Sequence, residues 1–491
     1  MTTFEKFSSP ARFNISLGSR APLQIGVALI LGILLGLFAL VAALQEPLLV
    51  LGVLAGFTLL VLVSARPEIV ILIMIFLAAG VAPAEFNPFI PSPVGRLQVT
   101  DLILILLFLA LFVRGLIDKT FHFVRTPLDV PVLLFSGAVV VGIITAIQFH
   151  GFLFKHTTPE ARILLYYLIF FAITQHVRTR SQLYRLVHGI LLIGLITAGL
   201  VVTQSILGRS LLLLEEEALQ GTQLIRFYYP AETLAVVALM VFICVIALVR
   251  EPRYRLISAL VIPLLGIGLL LTLTRNVLIS IVFSLAVMVI ILRKDRFSPL
   301  IGGLFAVTCI VVLALAVLGI AGSGAGLLQY FSAYLNRLAQ IFSDRLFTTQ
   351  DSLAVRWLEN QYAWWQIIQN PILGIGFRTA YRPSFYRTDM LTYYIHNGYL
   401  WIWLKTGLLG LIPFLWLSLR FLGRGFNQWR DIPDNFLKAV TLGFSLAYLA
   451  AMISNLVISS LASNTAAIIF GAMLGVNEVV FTLMKQSAKP D

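Results

Sequence analysis

Four residues in this chain have side chains able to do chemistry in places where apolar sequence gives them little company: Arg226, Arg275, Arg356 and His396. Arg275 lies in LTLTRNVLIS (271–280), with only Thr272, Thr274 and Asn276 as polar neighbours. An arginine so placed either marks an ion or substrate site or snorkels to lipid headgroups. Arg226 lies in LIRFYYPAETL, just ahead of a long apolar run, and Arg356 in SLAVRWLENQYAWW, where Glu359 or Asn360 offers a partner one turn on. His396 stands in TYYIHNGYLWIW, where a polar segment gives way to apolar sequence. Guanidinium forks grip phosphate oxygens bidentately and stay charged, and an imidazole accepts a proton from a hydroxyl near neutral pH. The set suits a transfer from a phosphate-linked donor to a hydroxyl acceptor.

Other chemistries lack their residues. There is no His-Glu-x-x-His motif, no glycine-rich phosphate loop and no converging carboxylate cluster of the kind a hard cation needs, so neither metal nor cofactor is expected. Glu215, Glu216 and Glu217 are consecutive, and on a helix they would point to different faces. Arg378, Arg382 and Arg387, interleaved with Tyr381, Phe385 and Tyr386, form a basic stretch able to hold phosphate or anionic headgroups. His122, His150, His156, His176 and His188 read as surface or interfacial residues. Cys244 and Cys309 both sit in apolar runs, which leaves no disulfide framework.

The elements that must position these residues are membrane helices. Of the 491 residues 59% are apolar and 12% charged, about half the charge of a soluble protein. The net charge of +13 comes from short basic clusters between apolar runs, which points to membrane orientation and not to nucleic acid. At about 20 residues per crossing the chain reads as an all-α polytopic protein of about 12–14 transmembrane helices. The apolar runs lie near 23–44, 47–64, 68–84, 99–116, 129–148, 160–176, 183–206, 230–249, 254–274, 276–292, 299–320, 397–419, 436–458 and 462–484. The first of them reads as a retained signal anchor.

The positive-inside rule places Arg114/Lys119/Arg125, Arg178/Arg180/Arg185, Arg250/Arg253/Arg255, Arg293/Lys294/Arg296, Arg420/Arg424/Arg430 and Lys485/Lys489 in the cytoplasm, together with both termini. The expected organisation is a cytoplasmic tail (1–22), an N-terminal membrane domain of about eleven helices (23–320), a large extracytoplasmic loop (321–396), C-terminal membrane helices (397–484) and a second cytoplasmic tail (485–491). In the loop, 327–342 reads as an amphipathic surface helix, 352–369 as a second helix stopped by Asn370-Pro371, and the glycine- and proline-bearing run after it as irregular chain. Arg226, Arg275, Arg356 and His396 all fall on the extracytoplasmic face of this scheme.

In order along the chain, RFYYPAETLA (226–235), LTLTRNVLIS (271–280), the segment from Arg356 to Phe377 ending in NPILGIGF, and HNGYLWIWLKTGLLGL (396–411) resemble the O-antigen ligase and O-antigen polymerase superfamily of bacterial envelope enzymes. The resemblance covers about the C-terminal half. Asn276 stands where many members have Gly, and Lys405 where an acidic residue is common. It implies a metal-independent glycosyltransferase in the cytoplasmic (inner) membrane, working at the extracytoplasmic face. The donor would be an undecaprenyl-diphosphate-linked glycan and the acceptor a glycan or glycolipid. Arg226 and Arg275 would then bind the diphosphate, with Arg356 as a further substrate-binding member and His396 as the general base. A transporter is the alternative, but a carrier needs polar groups and broken helices near the bilayer midplane, usually in repeated halves. Here the unusual charges gather at one face and no repeat is visible.

Overall fold

The computed structural model describes residues 56, 58–82, 84–92, 95–207, 216–218, 225–227, 232–272, 274, 276–292, 352–384, 392–459 and 463–487. The chain divides into two units, 1–65 and 66–491, and everything that bears on the site belongs to the second. Its elements in order are α1 (Pro67–Ala78), the hairpin β1 (Ile90–Ser92) and β2 (Gly95–Leu97), α2 (Val99–Ile117), α3 (Asp129–His150), α4 (Phe154–Leu165), α5 (Ile169–His176) and α6 (Arg180–Leu207). A second hairpin follows, β3 (Glu216–Ala218) with β4 (Ile225–Phe227), then α7 (Glu232–Leu248), α8 (Pro252–Leu271) and α9 (Asn276–Leu292). The chain ends with α10 (Ser352–Gln369), α11 (Gly398–Gln428), α12 (Asn435–Ser454) and α13 (Asn464–Ser487). The fold is all-α apart from the two short hairpins, and among the described residues seven helices are long and apolar enough to cross a membrane. The expected runs at 23–44, 47–64 (apart from a helical stretch at its end) and 299–320, and the surface helix at 327–342, fall outside the described residues.

Local chemistry sets the helix starts. Gln98 and Asp101 close a reciprocal capping box on α2, Pro252 occupies the first turn of α8, and the Asp434 carboxylate caps α12 by accepting from the Phe436 and Leu437 amides. The helices are apolar nearly all round. Leu133, Leu134 and Val140 of α3, Leu260 of α8 and Val282 of α9 point outward, as lipid-facing residues do, while α13 is buried almost throughout and forms the centre. Close approach replaces the hydrophobic drive that lipid removes. A side chain at Gly443 would meet the Val241 Cα at 2.6 Å, so α12 lies directly on α7.

The bundle has two distinct ends. At one, Tyr184 donates to Asp434, Tyr254 packs on Phe436, Arg430 donates to the Ile291 carbonyl and Arg424 pairs with Glu478. These contacts gather the basic clusters of separate helices together. At the other, Thr465 donates to the Ala78 carbonyl, Asn464 to Gln98, Asn276 to Ser454, and the Gly398 amide to the Asn455 carbonyl. Since α12 runs from Asp434 to Asn455 and spans about 30 Å, the ends face opposite ways.

Three sequence expectations are corrected. Glu216 and Glu217 belong to a strand, with Glu217 paired opposite Arg226, because the segment doubles back as a hairpin. His176 is no surface residue: it is buried, with Nε2 on the Leu107 carbonyl. The run 397–419 is not one straight crossing. Gly407 (φ 65°, ψ −167°) breaks α11 in a region open in practice only to glycine. The rings of Tyr399 and Phe414 lie 6.2 Å apart, whereas a straight helix would separate residues of that spacing by about 22 Å.

Candidate functional site

The break at Gly407 is filled by the chain that precedes His396. The Ile375 amide donates to the Leu404 carbonyl, and the Leu408 and Leu409 amides donate to the Pro371 and Ile372 carbonyls. Gly374 (φ 70°) has no room for a side chain, since a Cβ there would lie 2.6 Å from the Leu404 carbonyl oxygen. Residues 371–377 are thereby fixed against the first arm of α11. A buried pair secures them further. Lys405 Nζ donates to the Thr379 carbonyl at 2.9 Å and lies 3.4 Å from Glu160, whose other oxygen accepts the Arg378 amide. This buried lysine therefore has its counter-charge on α4.

His396 immediately precedes the cap of α11. The Asn397 side chain accepts from the Tyr399 and Leu400 amides, which ends the loop abruptly and leaves His396 in non-helical chain at the mouth of the helix. Its Nδ1 lies 2.7 Å from Glu359 Oε2, and its backbone amide donates to the same oxygen at 3.2 Å. Glu359 is 1% exposed, and its Oε1 accepts from Arg382 at 3.4 Å. A carboxylate only accepts, so Nδ1 is the donor, and in the neutral ring Nε2 carries the lone pair; the ring is about one-third exposed. Tyr394 meets this ring edge-on at 5.2 Å.

Glu359 comes from α10, where residues 356, 359, 363 and 367 form one helical stripe: Glu359, Ala363 and Ile367 are buried and Arg356 half-buried. The opposite face carries Trp357, Trp364, Trp365 and Ile368, all largely exposed, as a helix at a membrane interface carries them. Trp364 packs on Trp403 at 5.4 Å and ties α10 to α11. The Glu359 carboxylate, which spacing offered along with Asn360 as a partner for Arg356, contacts His396 and Arg382. Arg382 is likewise buried on this carboxylate, so it is an internal residue and not a headgroup binder. Arg378 keeps its exposed position, with its guanidinium 4.3 Å from the Tyr393 ring. Sequence reasoning noticed Glu359 only as a partner for Arg356; a lone carboxylate on the buried stripe of an amphipathic helix was the available signal.

The arginines are placed less completely. Arg275 and Arg387 lie outside the described residues, and Arg226 is described by its backbone, in β4, which packs against the end of α6. Their flanking residues do converge. Glu232, at the start of α7, accepts from Thr272 at 2.6 Å, and Asn276 donates to Ser454 at 2.7 Å, one residue from the Asn455 that holds Gly398. The chain on either side of position 275, the start of α7 and the His396 junction thus share one end of the bundle. Among the described residues no three His, Cys, Asp or Glu side chains converge as metal ligands would.

No curated protein matches the chain. Residues 259–415 match the family model described as O-antigen ligase, a stretch that contains position 275, Arg356, Glu359, the break at Gly407 and His396, but not Arg226. Over that stretch, about a third of the chain, the protein is similar to the O-antigen ligase family, which supports the resemblance drawn from its sequence.

Proposed function

We propose that the protein moves a glycan from an undecaprenyl-diphosphate carrier to a glycan or glycolipid acceptor at the extracytoplasmic face of the cytoplasmic membrane, in a ligase-like or polymerase-like reaction that needs neither metal nor cofactor. The contact between His396 Nδ1 and the buried Glu359 carries this reading, because it orients the ring and leaves Nε2 basic. The acceptor hydroxyl gives its proton to Nε2 as its oxygen bonds to the anomeric carbon. The bond from that carbon to the diphosphate oxygen breaks, and the electron pair departs with the lipid diphosphate. Arg226 and Arg275 hold the diphosphate and stabilise the charge that grows on it, with Arg356 beside them. Glu359 and Arg382 are positioning residues that act through His396.

The orientation follows from the basic clusters, which collect at the end opposite His396 and mark that end as cytoplasmic. A carrier would use a broken helix to offer backbone groups to its substrate. At Gly407 those groups already bond to residues 371–375, which favours transfer over transport. In detergent, with chelator present, His396→Ala should bind the lipid diphosphate donor like the wild type while single-turnover transfer falls about 10² to 10⁴-fold. Normal transfer by a folded variant would remove His396 from the reaction. Loss of donor binding would move it into the phosphate site.

A further inference from the structure

A second feature lies on the other side of α4. Between α2, α3 and α4 runs a groove of about 860 Å³, within the range of ligand pockets. Ile105, Leu109 and Phe112 of α2 and Val140 and Ile144 of α3 line its length, and each is more than one-third exposed, so the groove opens sideways toward lipid. Its polar mouth is at the end of the bundle that carries His396 and is formed by Arg96, Asp101, Thr158 and Arg162, two cations against one carboxylate. Arg96 is exposed. Arg162 donates through Nη1 to Asp101 at 2.9 Å and to the Arg96 carbonyl at 2.5 Å, and its Nε is buried without a hydrogen-bond partner among the described residues. Asp101 also accepts from the Gln98 amide and the Tyr166 hydroxyl, and Nε is not among its donors.

We propose that this groove binds one anionic membrane phospholipid, with a hydrocarbon chain along α2 and α3 and the phosphate at Arg96 and Arg162. The periodicity of α4 separates it from the transfer site. Thr158, Arg162 and Leu165 face the groove, while Thr157, Glu160, Ala161 and Leu164 are buried on the other face, where Glu160 holds the Arg378 amide and Lys405. A lipid seated here keeps its head across the helix from the loop that bears His396. It is accordingly a resident of the bilayer and not the glycan carrier.

The full-length protein in neutral detergent, titrated with phosphatidylglycerol or phosphatidylcholine of identical chains and read by native mass spectrometry, tests this directly. One phosphatidylglycerol should be retained in preference to phosphatidylcholine. Arg96→Ala should lower that preference about fivefold, the worth of one basic residue against an anionic lipid. Ile144→Trp, at a lipid-exposed position, should reduce retention of both lipids by filling the groove. Equal retention of the two lipids by the wild type, or unchanged retention by both variants, would overturn the proposal. Displacement of phosphatidylglycerol by equimolar undecaprenyl diphosphate would overturn it too, by making the groove a carrier subsite. Transfer activity is not read, so the result stands apart from the reaction mechanism.

Discussion

Two buried carboxylates, Glu359 at the end of the bundle that carries His396 and Glu478 at the end where the basic clusters gather, are each about 1% exposed and each is paired with arginine, yet they are used differently. Glu478 meets Arg424 with both oxygens, at 2.8 and 3.2 Å, and the guanidinium also lies over the Phe481 ring at 4.7 Å. That fork closes the interaction and locks α11 to α13. Glu359 divides its oxygens, one for Arg382 at 3.4 Å and the other for the His396 ring and amide. Its second partner has another nitrogen still available. A bidentate pair completes a structural contact, whereas a carboxylate shared between an arginine and a half-open imidazole sets up a group that can act on something else.

The most complete way to break this comparison is to show that the two ends do not face opposite sides of the membrane. Single cysteines at Ser384 and Arg250, in protein lacking Cys244 and Cys309, should respond oppositely to an impermeant thiol reagent applied to intact cells. Labelling is expected at 384 alone. Labelling at 250 alone would reverse the orientation and dismantle the proposed site.

The next largest effect belongs to Glu359→Gln. The amide keeps the shape but can turn its NH₂ toward Nδ1 and favour the tautomer with a protonated Nε2. Turnover should fall by about 10²-fold or more, toward the ~10⁴ seen when the carboxylate of a serine-protease triad becomes an amide, with donor affinity held. Turnover within a factor of two of wild type would make Glu359 equivalent to Glu478.

Arg275→Lys keeps the charge and loses the fork. If the diphosphate is gripped bidentately, transfer should drop about 10² to 10³-fold. Near-normal transfer would return this arginine to the role of a lipid-headgroup anchor.

Glu478→Leu should have the smallest effect on chemistry. It leaves Arg424 without its partner, which costs about 3 kcal/mol of stability, visible as a lower midpoint of thermal unfolding. The transfer rate per folded molecule should not change. A selective loss of turnover with stability intact would place catalytic weight at the wrong end of the molecule.

The sequence by itself showed the apolar runs that form the seven long apolar helices of the described residues, the basic clusters between them and the start of α11 beside Asn397. Each of these follows from local composition: apolar length, lysine and arginine between spans, and a capping side chain before an apolar run. Composition also singled out His396 and Arg275 as polar residues with little polar company. What only the tertiary structure decided depends on contacts between residues far apart in the chain. Spacing offered Glu359 only to Arg356, whereas residues 382 and 396 return to that carboxylate from the far side of the loop. Apolar content could not reveal the bend in α11, because a bent pair of arms is as apolar as a straight helix. Only the conformation of Gly407 and the backbone of 371–377 filling the break distinguish them. Likewise Lys405, an oddity in sequence, became intelligible once α4 brought Glu160 beside it, since a buried charge requires a partner that spacing alone does not name.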